Sequence, residues 1–125
     1  MTALSIRNWI VYERVSELRN PVAATSGAIE AGRELYGEHC QKCHGANGNG
    51  KGPKADELSV SPGDFTDGKK MGAQTDGQLF WRISKGRYPM PAFEDKLSEE
   101  GRWQLVDYIR TFRAKPIHSS QGAQP

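Results

Sequence analysis

With two cysteines and three histidines in 125 residues, the chain is poor in the side chains that build structural metal sites. A structural zinc ion takes four Cys or His ligands in spaced pairs, and beyond Cys40, Cys43 and His44 only His39 and His118 remain. A disulfide between cysteines so close in sequence would close almost no loop and add little stability. Long apolar runs are missing too. The group Trp9-Ile10-Val11-Tyr12 is far shorter than the roughly 20 residues of a membrane-spanning helix and lacks the continuous core of a secretory signal. No stretch reads as a good strand, which removes the βαβ setting of a thioredoxin-like cysteine pair. A net charge of +2, with no long run of lysine or arginine, gives no footprint for nucleic acid or a membrane surface. Apolar residues make up only 36% of the chain, a thin core for what its length allows as one small domain.

What is present is Cys40-Gln41-Lys42-Cys43-His44. Two cysteines three apart, followed at once by histidine, form the pattern for covalent attachment of a c-type haem. Each thiol adds across a vinyl group to give a thioether, and the adjacent imidazole is placed to ligate the iron. A porphyrin fixed in this way also supplies apolar surface to pack against, part of the burial that so small a chain otherwise lacks.

Helix signals surround this motif. Residues around Ile6 to Leu18 predict a loosely docked helix. The first firm helix is expected from about Ala28 into the haem motif, with Thr25 and Ser26 as candidate caps and Ile29, Leu35 and Tyr36 on one face. Gly32 inside it costs helix stability and points to close packing against another backbone. The stretch from Gly45 to Lys70 is rich in glycine and proline and reads as irregular chain that wraps the haem edge, with Leu58 and Phe65 as ring contacts. A second helix starts at Thr75, where Gln78 completes a capping box, and stops at Gly86. A third starts at Ser98 with Glu99 and Glu100 in its first turn. Leu105, Val106, Ile109 and Phe112 give it a helical apolar stripe, and Lys115-Pro116 closes it. The tail beyond is expected to be mobile.

These elements, in this order, resemble a class I cytochrome c of the small bacterial type from about Ala28 to Phe112. The likeness rests on Leu35-Tyr36, Cys40 to Gly45, Asp76-Gly77-Gln78-Leu79-Phe80-Trp81, Pro89-Met90-Pro91 and the helix Leu105 to Phe112. It implies an all-α class I cytochrome c fold, with three main helices and long loops around one haem c held by Cys40 and Cys43. It also implies a contact near the haem between Gly32 and the Trp103 to Ile109 face. The expected division is an extension over 1–25, the haem domain over 26–114 and a flexible tail over 115–125. The axial ligands implied are His44 and Met90. Pro89 and Pro91 restrict the backbone around Met90, whereas Met71, after two lysines and before Gly72, sits in a setting that reads as flexible. The resemblance gives the Pro53 carbonyl as acceptor for the second nitrogen of His44, the kind of partner a ligating imidazole usually has.

With both axial positions filled by protein, the implied activity is one-electron transfer, not enzymatic chemistry, and no catalytic residue is expected. The implied partners are redox proteins, an electron donor and an acceptor, with Lys42, Lys51, Lys54, Lys69, Lys70, Lys85 and Arg87 as a weakly basic docking face. Two other readings stay open. One is a haem subunit or domain of a larger respiratory or dehydrogenase complex, favoured by the unexplained first 25 residues. The other is a gas-binding or peroxidase-like protein with Arg82 and Arg87 near the iron. Haem attachment of this type implies a periplasmic location, although no signal is visible in the sequence.

Overall fold

The hydroxyl of Thr25 accepts the backbone N–H of Ala28 at 3.1 Å and so starts α1, Ser26–His39, in the computed structural model, which describes residues 14–114. A one-turn helix α2, Gln41–His44, comes next. The break between them falls at Cys40, whose φ of −120° and ψ of −30° leave the helical region. The two cysteines therefore do not ride on one continuous helix, as the sequence led us to expect. Cys40 sits at the junction and Cys43 in the turn beyond it.

The expected irregular stretch contains two short elements. A 3-10 turn covers Ala55–Glu57. Helix α3, Gly68–Gly72, starts where the Asp67 carboxylate accepts the N–H groups of Lys69 and Lys70, so an N-cap overrides a glycine-rich local sequence. Helix α4, Asp76–Lys85, has the expected capping box between Thr75 and Gln78 and ends at Gly86. Helix α5, Glu99–Ala114, carries Glu99 and Glu100 in its first turn. Among the described residues there is no strand, only a bridge between Arg87 and Met90, and the all-α expectation holds. Of the expected N-terminal helix, Arg14 and Val15 are helical and residues 1–13 lie outside the described residues, as does the tail 115–125.

The core forms where α1 crosses α5. A Cβ placed on Gly32 would collide with the backbone carbonyl of Gln104 and come within 2.9 Å of Tyr108 Cβ. Glycine is what lets the two backbones meet, as its cost inside a helix suggested. Tyr36, one turn further along α1, then packs its ring against Tyr108 and Phe112, with centroids 5.3 and 5.2 Å away. Leu105 and Val106 are fully buried beside it, and Ile109 and Phe112 continue the stripe until Arg113, which is exposed. From α4, Leu79 and Ile83 join this core, while Phe80 stacks on Trp103 with centroids 3.9 Å apart.

Two arginines sew the polar side of α5 to its neighbours. Arg102, although buried, donates to the Ser84 hydroxyl at 2.8 Å and lies over the Phe80 ring. Arg110 uses three nitrogens, on Asp76 Oδ1, the Met71 carbonyl and the Gln74 carbonyl. Gly32→Ala should therefore destabilise the haem-loaded protein by about 1–3 kcal/mol, although alanine is the better helix former; denaturant unfolding of the two proteins measures the difference.

Candidate haem site

Helix α2 is a single turn, too short to stand without help, and its last four carbonyls have no partner inside it. Each is taken by a backbone N–H of the loop after it. Gly45 donates to Gln41, Lys54 to Lys42, Gly52 to Cys43 and Gly50 to His44, all between 2.8 and 3.0 Å. The Tyr36 hydroxyl, inside the core, donates to the Gly45 carbonyl at 2.6 Å. The glycine-rich loop read as irregular chain is thus the capping structure of the haem motif, tied through Tyr36 to the crossing of α1 and α5.

Cys40 and Cys43 are not joined in a disulfide. Burial pushes the Cys40 thiol up to about 12, so it is held as a neutral thiol beside apolar neighbours. His44 is half-buried. Burial disfavours its charged form more than its backbone hydrogen bond favours it, and its pKa is lowered. The neutral ring has its Nδ1 3.1 Å from the Gly63 carbonyl. As that oxygen can only accept, the tautomer it selects carries the proton on Nδ1 and leaves Nε2 with a free lone pair, the form a metal requires. Phe65 stacks on the imidazole at 4.5 Å and 19°, which fixes the plane of the ring.

The acceptor is a correction to the sequence reading. Pro53 was expected to supply it, but Pro53 is exposed and the bond goes to Gly63. The reason lies in loop register. Gly52 and Lys54 are both bonded back to the end of α2, which leaves Pro53 on the outside of the turn, while the far limb of the loop brings Gly63 to the ring. A backbone carbonyl carries no side-chain signal, so Gly63 could not be singled out from sequence.

Met90 sits in a tight turn. Its N–H donates to Arg87 and its carbonyl accepts from Arg87, at 2.8 and 3.0 Å. The chain beyond is pinned to α4 by bonds from Phe93 to Ile83 and from Glu94 to Ser84, each 3.0 Å. Gly86 makes the turn possible: its φ is +68°, and a Cβ there would lie 2.6–2.7 Å from the backbones of Met90, Pro91 and Ala92. Met90 is half-buried against the apolar cluster that also holds Cys40, Met71, Leu79 and Phe93. The ring of Phe93 meets that of His39, next to Cys40, at 5.5 Å. The methionine turn and the haem motif are therefore neighbours.

Met71 differs from its sequence expectation. It is helical and 2% exposed, with its thioether 3.9 Å from the Gln74 amide and its carbonyl held by Arg110. Among the aromatics around this site, Phe93 and Trp103 are buried, Trp81 is half-buried, and Tyr88 is 88% exposed. Leu58 is half-buried.

Two unbridged thiols, a neutral imidazole with one nitrogen free, and an apolar cluster beside them make the donor set of a covalently held haem, and that set defines a c-type cytochrome domain. The comparisons with known proteins agree. The chain belongs to the cytochrome c family described as cytochrome c oxidase, cbb3-type, subunit III, whose model matches residues 27–109. It is 31% identical over 98 residues to a cytochrome c550 of Pseudomonas aeruginosa, covering 74% of this chain and 61% of that protein. It is 26% identical over 91 residues to a cytochrome c6 of Euglena viridis, covering 69% of this chain and 94% of the other. Among solved structures it resembles a chain of the Kuenenia stuttgartiensis reducing HAO-like protein complex, with a TM-score of 0.67 and 36% identity over 74% of this chain and 46% of that one. A second likeness is to the KustC0563 c-type cytochrome, with a TM-score of 0.59 and 30% identity over 66% of this chain and 96% of the other. The cofactor is haem c, attached through the cysteine pair Cys40 and Cys43.

Gly86→Ala combines a positive φ that suits glycine with a Cβ inside contact distance of three backbone atoms. It should lower the unfolding free energy of the haem-loaded protein by about 2 kcal/mol or more, read as a shift in the denaturant midpoint.

Proposed function

We propose that the protein is a one-electron carrier in which His44 Nε2 and the Met90 thioether are the two axial ligands of the haem iron. The observation that carries this reading is the pairing of a neutral imidazole, oriented by Gly63, with a methionine fixed in a hydrogen-bonded turn beside the same apolar cluster. Bound haem c supplies reversible exchange of one electron at iron. The chain's part is to hold its ligands still, so that little rearrangement accompanies the change of charge, and to keep water from the apolar side. Met71 is the weaker candidate, because its side chain is already buried in the core. Residues 26–114 are then the haem domain, preceded by an extension over 1–25 and followed by a tail over 115–125.

The partners on this reading are redox proteins in the periplasm. Lys42 and Lys54 are exposed and joined through their backbones, with Lys51 between them in the capping loop and Arg87 exposed beside the methionine turn. Lys85 is less available, since it pairs with Glu94 at 2.9 Å. An acidic partner surface fits this rim. A second reading, a haem domain serving within a larger assembly, is favoured by the likeness to one chain of a solved complex, of which this chain spans less than half.

Two measurements test the proposal. The oxidised protein should show the far-red sulfur-to-iron charge-transfer band, and Met90→Ala should abolish it while the Met71→Leu protein keeps it. A band that survives Met90→Ala overturns the assignment. Neutralising Lys42, Lys51 and Lys54 together should flatten the salt dependence of electron transfer to an acidic redox protein; an unchanged slope removes these lysines from the docking surface.

A further inference from the structure

The chain enters α1 through a strap, residues 14–24, that lies on α4 and α5. At its start, the backbone of Gly77 in α4 packs against the Val15 carbonyl and against Leu18. At its middle, Asn20 joins it to two turns of α5. Its Nδ2 donates to the Trp103 carbonyl at 3.3 Å and to Asp107 Oδ1 at 2.8 Å, while its own Oδ1 accepts the N–H of Val22 at 2.8 Å. One side chain thus rivets the strap to the helix and sets its turn.

The partner of that rivet is unusual. Asp107 is 7% exposed, and its Oδ2 is buried with no hydrogen-bond partner among the described residues. Arg110, one turn further on, makes no hydrogen bond to it; its guanidinium is turned to Asp76, Met71 and Gln74. From α4, Asp76 faces it with a like charge. Arg102, the buried guanidinium of α5, is held by Ser84 and the Ser98 carbonyl. On the strap itself Arg14, Glu17 and Arg19 are exposed, and Asn20 is neutral. An ionised carboxylate here has one neutral donor for two oxygens, and a buried charge so poorly served is costly.

We propose that Asp107 and Asn20 form a proton-controlled latch: the protonated carboxyl keeps the strap closed on α4 and α5, and ionisation releases it so that water reaches Oδ2. Burial, and then the Asp76 charge, push the Asp107 pKa from 3.8 up to about 6, and the Asn20 bond only partly opposes them. A raised carboxyl pKa in the closed form means that closure gains most below the free value, weakens as pH rises through about 6, and is unchanged by this group above that. The strap borders a groove of about 320 Å³ lined by Val15, Leu18, Phe80, Trp81 and Arg102, so its release uncovers the aromatic side of α4. The latch is independent of which ligands hold the iron.

The test is amide hydrogen exchange by NMR on the full, haem-loaded ferrous chain at about pH 4.5 and pH 8, expressed as protection factors so that the intrinsic pH dependence of exchange cancels. Leu18 and Val22, whose N–H groups bond within the strap, report on the latch, and Cys40, bonded to Tyr36, reports on the core. Strap protection should fall about tenfold or more between the two pH values while Cys40 stays constant. In Asp107→Asn the strap should be equally protected at both pH values, and in Asn20→Ala it should be weakly protected at both. No fall in the unaltered protein, or a fall that persists in Asp107→Asn, overturns the latch. Should Asp107→Asn fail to fold, the carboxyl ¹³C shift of Asp107 in the unaltered protein decides: an inflection near 6 supports the latch and one near 4 overturns it.

Discussion

The haem site depends on one contact, that of Gly32 with the backbone of Gln104. Because two helix backbones meet there without an intervening side chain, Tyr36 is carried into the ring cluster of Tyr108 and Phe112, where it is 1% exposed. A tyrosine hydroxyl so deeply placed must find an acceptor, and it finds the Gly45 carbonyl directly after the haem motif. The position of the one-turn helix that carries Cys43 and His44 is therefore set from inside the core as well as by the loop that caps it. Each aromatic pair is worth about 0.5–1.5 kcal/mol beyond its burial, so the cluster is a strong anchor for a short helix.

Around that anchor, backbone hydrogen bonding does what side chains usually do at a cofactor site. The carbonyls at the end of α2 select the register of the loop, and the loop in turn brings the Gly63 carbonyl to His44 and leaves Pro53 outside. The Met90 turn is likewise held by Arg87, Ile83 and Ser84 main-chain groups. Such partners hold position without adding charge near a site whose charge is to change by one electron. The lysine-rich surface adds little to stability: the Lys85 to Glu94 pair is exposed on both sides, and pairs of that kind contribute about 0–1 kcal/mol.

A large part of this was legible in the sequence. The haem motif, the Thr25 cap, the Thr75 and Gln78 capping box, the stop at Gly86 and the apolar stripe of α5 are short-range patterns, and the structure reproduces each of them. Even Gly32 was readable, because a glycine inside a helix has a cost that close packing explains. Less legible was the segment from Gly45 to Lys70, where low helix propensity concealed the capping of α2 and the Asp67 cap of α3. Met71 illustrates the same gap: its neighbours are polar or small, but the fold inserts it into the core between α3 and α5.

The sequence by itself determined which cofactor the chain takes, where α1, α4 and α5 begin and where α4 stops, since these depend on groups within a few residues of one another. Tertiary structure alone decided which carbonyl meets His44, which methionine is sealed in the core and which side chains on α5 lack partners. Those outcomes depend on groups far apart in the chain, such as Asn20 and Asp107 or Arg110 and Met71. Their meeting results from the way α1, α4 and α5 stack, which no local pattern records.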